Sequence, residues 1–354
     1  MEATGLGRRH RRHGELRGCT FRLPAGRICA LAGPGTGTLL ALAAGLVRPT
    51  EGAVRVFGAD PRTAAGRGRV AYLGRERAGR PWRTVSEALR RARARHDGPW
   101  QAARAARVLE AGRVPLQARV GELPAERYAR FALALALATG PELLLLDEPF
   151  AGLGPLSRHE VAAQLMEQAA VYGTTIVLSS HALAELDGIC DHLLLLGDGG
   201  VRLAGEVDDV IAAHGLLLGT ADRPGALPSR LAAHPVVDTQ WSGRRYTALV
   251  RRQGPLDGPW EVAEPSLEEL LLGCLRSPGA PALPASGAAP AGPRLWQRPG
   301  VPGLPRNAGA PRGGAASPAA GGPLLSGIPR GRRQGGAARP GHGWELHGNE
   351  GVTV

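Results

Sequence analysis

Short apolar runs alternate with amphipathic stretches from Thr20 to about Val201, as expected for strands buried on both faces and separated by crossover helices. Ile28 to Ala32, Leu143 to Leu146 and Thr175 to Ser179 are the strand candidates. Ser157 to Tyr172 predicts a helix: Ser157 and Glu160 read as a capping box, and Val161, Leu165 and Ala169 recur on one face. Strands on both sides of that helix make the unit parallel, and the fold class α/β.

The pattern then divides the chain. An Arg- and Ala-rich helical stretch between Val85 and Leu116 carries Arg90, Arg91, Arg93, Arg95, Arg104 and Arg107. It predicts a helical subdomain at about 82–135, with these arginines on a solvated face rather than on a specific nucleic-acid surface. After about Gly215 the composition changes. Val236 to Trp241 and Tyr246 to Val250 flank Ser242 and Gly243 as a hairpin, and Ser266 with Glu269 caps a short helix ending near Pro278. Residues 216–278 thus read as a small α+β accessory domain behind a main domain of residues 1–215. Residues 279–354 are mostly Gly, Pro, Ala and Arg without periodicity. They cannot bury enough apolar area to offset the entropy of ordering, so a disordered tail is expected.

Composition sharpens this picture. At 354 residues there is room for one full-sized core and an appendage. All 43 basic residues are Arg, and the net charge of +12 is carried without one Lys. The tail holds eight of those Arg against two Glu, which reads as a passive basic tail. The longest apolar run, Phe131 to Ala138, is less than half of the roughly 20 residues that cross a bilayer. Glu2, Arg8, Arg9, Arg11 and Arg12 are not followed by the apolar stretch of a secretory signal, so a cytoplasmic location is expected. Cys19, Cys29, Cys190 and Cys274 form no CxxC pair and read as ordinary thiols.

The strongest chemical signal is LLLLDEP, Leu143 to Pro149, a buried strand that delivers Asp147 and Glu148 at its C-terminal edge. Doubly wound sheets bind ligands at that edge. Some 33 residues later the strand TTIVLSS ends in His181. With GLVRPTEGAVRVFGADP (Gly45 to Pro61), RVAYL (Arg69 to Leu73) and PWRTVSEAL (Pro81 to Leu89), these segments resemble the ABC ATPases, in family order, over about 200 residues. The resemblance implies a P-loop NTPase-like nucleotide-binding domain that uses ATP and Mg²⁺. In it Asp147 orders the metal through its water shell, Glu148 polarises the attacking water and His181 is the switch histidine contacting the γ-phosphate. A helix beginning at Ala182 is expected to aim its N-terminal partial charge at that anion.

The departures from the family pattern cluster at the same site. A phosphate loop needs small residues whose N–H groups wrap the phosphate, then Lys for its oxygens and Ser or Thr for the metal. Here the stretch is GPGTGTLL, Gly33 to Leu40, about three residues short and without Lys. It reads either as a partial nest, with Gly33, Gly35 and Gly37 at the nucleotide and Thr38 reaching Mg²⁺, or as a plain strand-to-helix turn. The LSGGQ signature aligns on Leu123, Pro124, Ala125, Glu126 and Arg127. Pro124 has neither hydroxyl nor N–H, and Glu126 would bring negative charge toward phosphate. Arg75 stands where the family has Gln, His10 where an aromatic residue stacks on adenine, and Gly154 where the loop after the acids carries Asp.

By resemblance, then, the chain is an ATP-binding motor subunit. It would pair with a second nucleotide-binding subunit, as homo- or heterodimer, and with a membrane-spanning permease, lying on the inner face of the cell membrane. The appended C-terminal domain resembles those of exporter-type motors for drugs or other hydrophobic compounds. The alternative is a nucleotide-deficient half that completes a heteromeric transporter.

Overall fold

Alternate residues of the central strands face opposite sides, and in this chain both sides are apolar. The computed structural model describes residues 1–9, 16–75, 82–277 and 352–353, and the statements below concern these. Strands are numbered along the chain. β1 (Glu2–Arg8), β2 (Leu16–Arg22) and β4 (Glu51–Arg55) form an antiparallel sheet in the order β2-β1-β4. The larger sheet takes β3 (Ile28–Ala32), β5 (Val70–Leu73), β6 (Leu143–Asp147), β7 (Thr175–Ser179), β8 (His192–Gly197) and β9 (Gly200–Glu206). Its order is β5-β6-β7-β3-β8-β9, and Val352–Thr353 lies antiparallel along the outer edge of β5. β5, β6, β7, β3 and β8 run parallel, while β9 returns antiparallel.

That alternation splits the interior in two. Ile28, Ala30, Leu144, Leu146, Ile176 and Leu178 enter one core; Cys29, Leu31, Leu143, Leu145 and Val177 enter the other. The second core is closed by the three-stranded sheet and by α1 (Thr36–Ala43), which contributes Leu39, Leu40 and Leu42. The first is closed by helices. After the short α2 (Ala64–Arg67) come α3 (Val85–Arg95), α4 (Ala102–Ala111), α5 (Ala125–Ala138) and α6 (Pro155–Tyr172). The apolar run Phe131 to Ala138 is the buried length of α5, a core helix as its length required.

α3 and α4 both pack on α5, in the stretch where a helical subdomain was expected. The entry to α3 is fixed by a capping box: the Glu87 N–H donates to Thr84 Oγ1 at 3.2 Å, and the Thr84 N–H donates to Glu87 Oε2 at 3.1 Å. Arg90, Arg91, Arg93 and Arg95 are solvent-exposed, whereas Arg104 and Arg107 turn toward α6. Arg104 lies 3.7 Å from the centroid of the Tyr172 ring, and Arg107 Nη1 lies 3.3 Å from Glu167 Oε1.

One expected cap is absent. α6 starts two residues before Ser157, with Gly154 as N-cap and Pro155 in the first turn, and no side chain caps it. Proline's fixed φ and missing N–H suit the first helical position, which places Ser157 inside the helix. Glu160 is therefore free of capping and pairs with the buried Arg130 of α5.

After α7 (Val207–Ala212) the chain forms a four-stranded antiparallel sheet of β10 (His214–Thr220), β11 (Val236–Ser242), β12 (Arg245–Arg251) and β13 (Trp260–Ala263), in the order β11-β12-β10-β13. The β11–β12 hairpin turns where the sequence placed it. Its own small core contains Leu217, Leu231, Tyr246, Ala248 and Val250. α8 (Leu267–Arg276) begins at Ser266 with the predicted capping box, but Leu267, Leu270 and Leu271 join the main core rather than this small one. Of the tail expected to be disordered over 279–354, residues 279–351 and Val354 lie outside the described residues, whereas Val352–Thr353 form a short strand on β5.

Two stability predictions follow from local chemistry. Removing the hydroxyl cap with Ser266→Ala should cost about 1 kcal/mol in chemical denaturation without changing the slope. His214 is buried, its Nδ1 2.7 Å from the Val210 carbonyl, and burial lowers its pKa from the usual 6.5; burial likewise lowers that of His192. The unfolded chain therefore binds more protons below about pH 6.5, so stability falls as the pH drops through that value toward the lower folded-state pKa. Thermal melts should shift down by a few degrees between pH 7.5 and 5.5, and His214→Gln should flatten that dependence.

Candidate functional site

The C-terminal ends of β6 and β7 lie side by side, with Asp147 in register with Ser179. The Ser179 hydroxyl, 1% exposed, donates to Asp147 Oδ1 at 2.9 Å and accepts the Glu148 N–H at 3.1 Å. One hydroxyl thus orients the first carboxylate and fixes the backbone of the second. Glu148 has φ of 56°, a left-handed conformation that a non-glycine residue adopts only when its surroundings impose it. The turn folds its carboxylate under the next loop. Glu148 Oε2 accepts the His181 N–H at 3.2 Å, and Oε1 lies 3.5 Å from His181 Nε2. The Glu148 side chain is 9% exposed and that of His181 66%, so the imidazole forms the outer face of the pair.

The glycine-rich stretch closes the cleft from β3. Only Gly33, Pro34 and Gly35 separate β3 from α1. Gly33 and Gly35 have φ of 91° and 92°, and a Cβ on Gly33 would stand 2.0 Å from the Leu196 carbonyl oxygen. Glycine is required there by close approach as well as by conformation. The first bond of α1 forms at once, from the Leu39 N–H to Gly35 O at 2.9 Å. Gly37 and Thr38 therefore sit in the first helical turn, where the N–H groups of Thr36, Gly37 and Thr38 have no partner within the helix. The Cβ position of Gly37 is 3.4 Å from Asp147 Oδ2. Gly37 of the turn thus stands against Asp147, and His181 against Glu148, at the C-terminal edge shared by β3, β6 and β7.

A magnesium nucleotide fits this cleft at one end only. Asp147 presents a held carboxylate oxygen toward the first turn of α1, which suits a hydrated divalent cation. Among the described residues no three His, Cys, Asp or Glu are grouped to hold a metal by themselves, so such an ion would need phosphate oxygens. The phosphate end has backbone donors but no lysine, and three connecting residues cannot encircle a phosphate.

The other expected contacts fall out differently. Arg75 lies exposed two residues beyond β5. It borders a cavity of about 350 Å³, together with Asp147, Glu148, Tyr128 and Ala129. His10 lies outside the described residues. Pro124 is the N-cap of α5, and the exposed Glu126 accepts the Gly154 N–H on its Oε1 at 3.3 Å. It ties the start of α5 to the start of α6. No α-helix begins at Ala182; the segment makes a single 3-10 turn, Leu183–Glu185. A turn that short has no appreciable dipole to aim at an anion, and the buried Leu183 and Leu186 hold it against the core instead. Sequence reading passed over Ser179, whose signal was the serine pair immediately before His181.

Residues 16–151 match the ABC transporter family. The chain is 33% identical over 215 residues to the aliphatic sulfonates import ATP-binding protein SsuB of Pseudomonas putida, spanning 59% of this chain and 77% of that one. Against the protein of the same name from Pseudomonas fluorescens it is 35% identical over 195 residues, spanning 53% and 70%. A solved ATP-binding subunit of an ABC transporter superposes with a TM-score of 0.54 at 26% identity, covering 60% of this chain and 91% of the other. The dimeric cassette MJ0796 bound to ADP and Pi shares the fold, with a TM-score of 0.51 at 19% identity over 58% of this chain and 98% of that one. The sulfonate relatives are import proteins by name, so the exporter-type expectation drawn from the appended domain is not supported. Sequence, sheet order and cleft agree on one assignment: the chain belongs to the ATP-binding subunits of ABC transporters.

Proposed function

We propose that this motor subunit contributes its acidic edge, with its short glycine turn as a weak phosphate contact, to a composite nucleotide site shared with a second nucleotide-binding subunit, beneath a membrane-spanning permease. The observation that supports the reading is that Asp147 is held by Ser179, the His181 N–H by Glu148, and the first turn of α1 stands against Asp147 while the glycine turn itself is short. Dimerisation and permease pairing are taken from the family, and the MJ0796 cassette is itself a dimer. No helix among the described residues is long and apolar enough to cross a membrane, consistent with a subunit seated on the inner face of the membrane under its permease.

Each residue has a definite task in this scheme. Asp147, aimed by Ser179, holds water around the metal. Glu148 accepts a hydrogen bond from the attacking water and orients its lone pair toward phosphorus. His181, exposed and anchored to Glu148, donates toward the terminal phosphate oxygens. Mg²⁺ supplies charge neutralisation across the transferring phosphoryl group. Thr38 and the N–H groups of Thr36 and Gly37 meet the phosphates in place of a full loop, with Gly33 and Gly35 shaping the turn. Arg75 borders the cavity at the position of the family glutamine, and His10 aligns in sequence with the residue that stacks on adenine in the family.

A second reading, a pseudo-ATPase half in a heteromeric motor, is favoured by one contact. Glu126 spends its carboxylate on Gly154, so the signature segment binds its own chain rather than a partner's phosphate. Under this reading the chain completes one site through its acids and leaves the opposite site silent.

Two measurements address these readings. The isolated chain should bind MgATP with Kd of about 1 mM or weaker by calorimetry; low-micromolar affinity would contradict the short-turn argument. In the assembled transporter, Glu148→Gln should lower ATP turnover by about a hundredfold with little change in nucleotide binding. Unchanged turnover would remove Glu148 from the catalytic assignment.

A further inference from the structure

We infer that Arg158 and Glu185 form a positioning pair that registers the turn carrying His181 against the turn that follows Glu148. Glu185 closes the 3-10 turn after His181, and its side chain is 8% exposed. Its Oε2 accepts the Ser180 hydroxyl at 2.8 Å, and its Oε1 lies 2.9 Å from Arg158 Nη2. The same guanidinium nitrogen donates to the Leu153 carbonyl at 3.4 Å. From Leu153 the bonds run back to the acids: its N–H donates to Phe150 O at 3.1 Å, and the Ala151 N–H donates to Glu148 O at 3.1 Å. On the other side, Ser180 precedes His181, whose N–H donates to Glu148 Oε2 at 3.2 Å.

These contacts close a circuit. It leaves Glu148 along its own turn to Leu153, crosses to Arg158 and Glu185, and returns through Ser180 and His181 to the Glu148 carboxylate. Two links join segments distant in sequence, the His181 N–H to Glu148 bond and the Arg158–Glu185 ion pair, and the rest lie within short segments. The link that joins the two segments opposite Glu148 is the ion pair between Arg158 on α6 and Glu185. Its carboxylate is buried, so it is stable only while paired, and loss of Arg158 leaves it unmatched. The turn's apolar side is already fixed, because the buried Leu183 and Leu186 share the main core with Leu267, Leu270 and Leu271 of α8. Its polar side is fixed by Arg158, and the two holds together decide where His181 stands over Glu148.

The inference rests on the reading of His181 and Glu148 as the reacting pair, but its test needs no nucleotide and so fails or succeeds separately from that reading. Amide hydrogen exchange is followed by mass spectrometry on the full chain without nucleotide, for the native protein, Glu185→Gln, Arg158→Met, the double variant and Arg158→Lys. Each single neutralising variant should speed exchange about tenfold in both segments, 148–154 and 180–186, and leave the β11–β12 hairpin unchanged. The double variant should be no faster than either single one, because both remove the same link. Arg158→Lys keeps the charge beside Glu185 and should stay within about twofold of native protection. Acceleration confined to the substituted segment, additive effects in the double variant, or a lysine variant as loose as the methionine one would overturn the pair's role. The lysine variant keeps the test decisive if a neutralising one does not fold.

Discussion

The cleft depends on the registered ending of β6 against β7. Asp147 and Ser179 are paired residues on adjacent parallel strands, so their side chains emerge at the same level of the same sheet edge. That level is set far from the cleft, by Leu143 to Leu146 and Ile176 to Leu178, all essentially inaccessible to water. A slip by one residue would exchange the side chains of the two apolar faces and spoil the packing fit of both cores at once. The positions of a serine hydroxyl and two carboxylates are thereby fixed by buried leucines together with Ile176 and Val177.

Most of this was legible in the letters. Buried strands read as uninterrupted apolar runs, and LLLLDEP named the edge where the chemistry sits. Capping boxes at Thr84 and Ser266 follow from local side-chain chemistry, and the Ser266 box was read from sequence. The box proposed at Ser157 failed because a stronger helix-start signal, Pro155, lay two residues upstream. The helix expected at Ala182 failed for a tertiary reason. Leu183 and Leu186 are drawn into the core, and Glu185 is drawn to Arg158, which leaves one turn of 3-10 helix. Neither partner is near in sequence, so no local pattern announced it.

The altered motifs acquire physical content from the structure. Pro124 in place of a hydroxyl residue starts α5 without a side-chain cap. Glu126 then finds the Gly154 N–H at the start of α6, where negative charge is favourable near two helix N-termini. The same carboxylate that would repel a phosphate serves to hold two helices together. The internal bond from Gly154 to Glu126 thus falls in the segment that aligns with the family signature.

The placement of α8 bears on how the small four-stranded sheet can move. The chain leaves the main core through α7, builds that sheet, and re-enters the core through the leucines of α8. A module joined by one connection would swing like a bead on a string, but this one is hinged at both ends. Any rotation of it must strain either α7 or α8. Since α8 packs beside the turn that carries Glu185, such strain is delivered to the turn that follows His181.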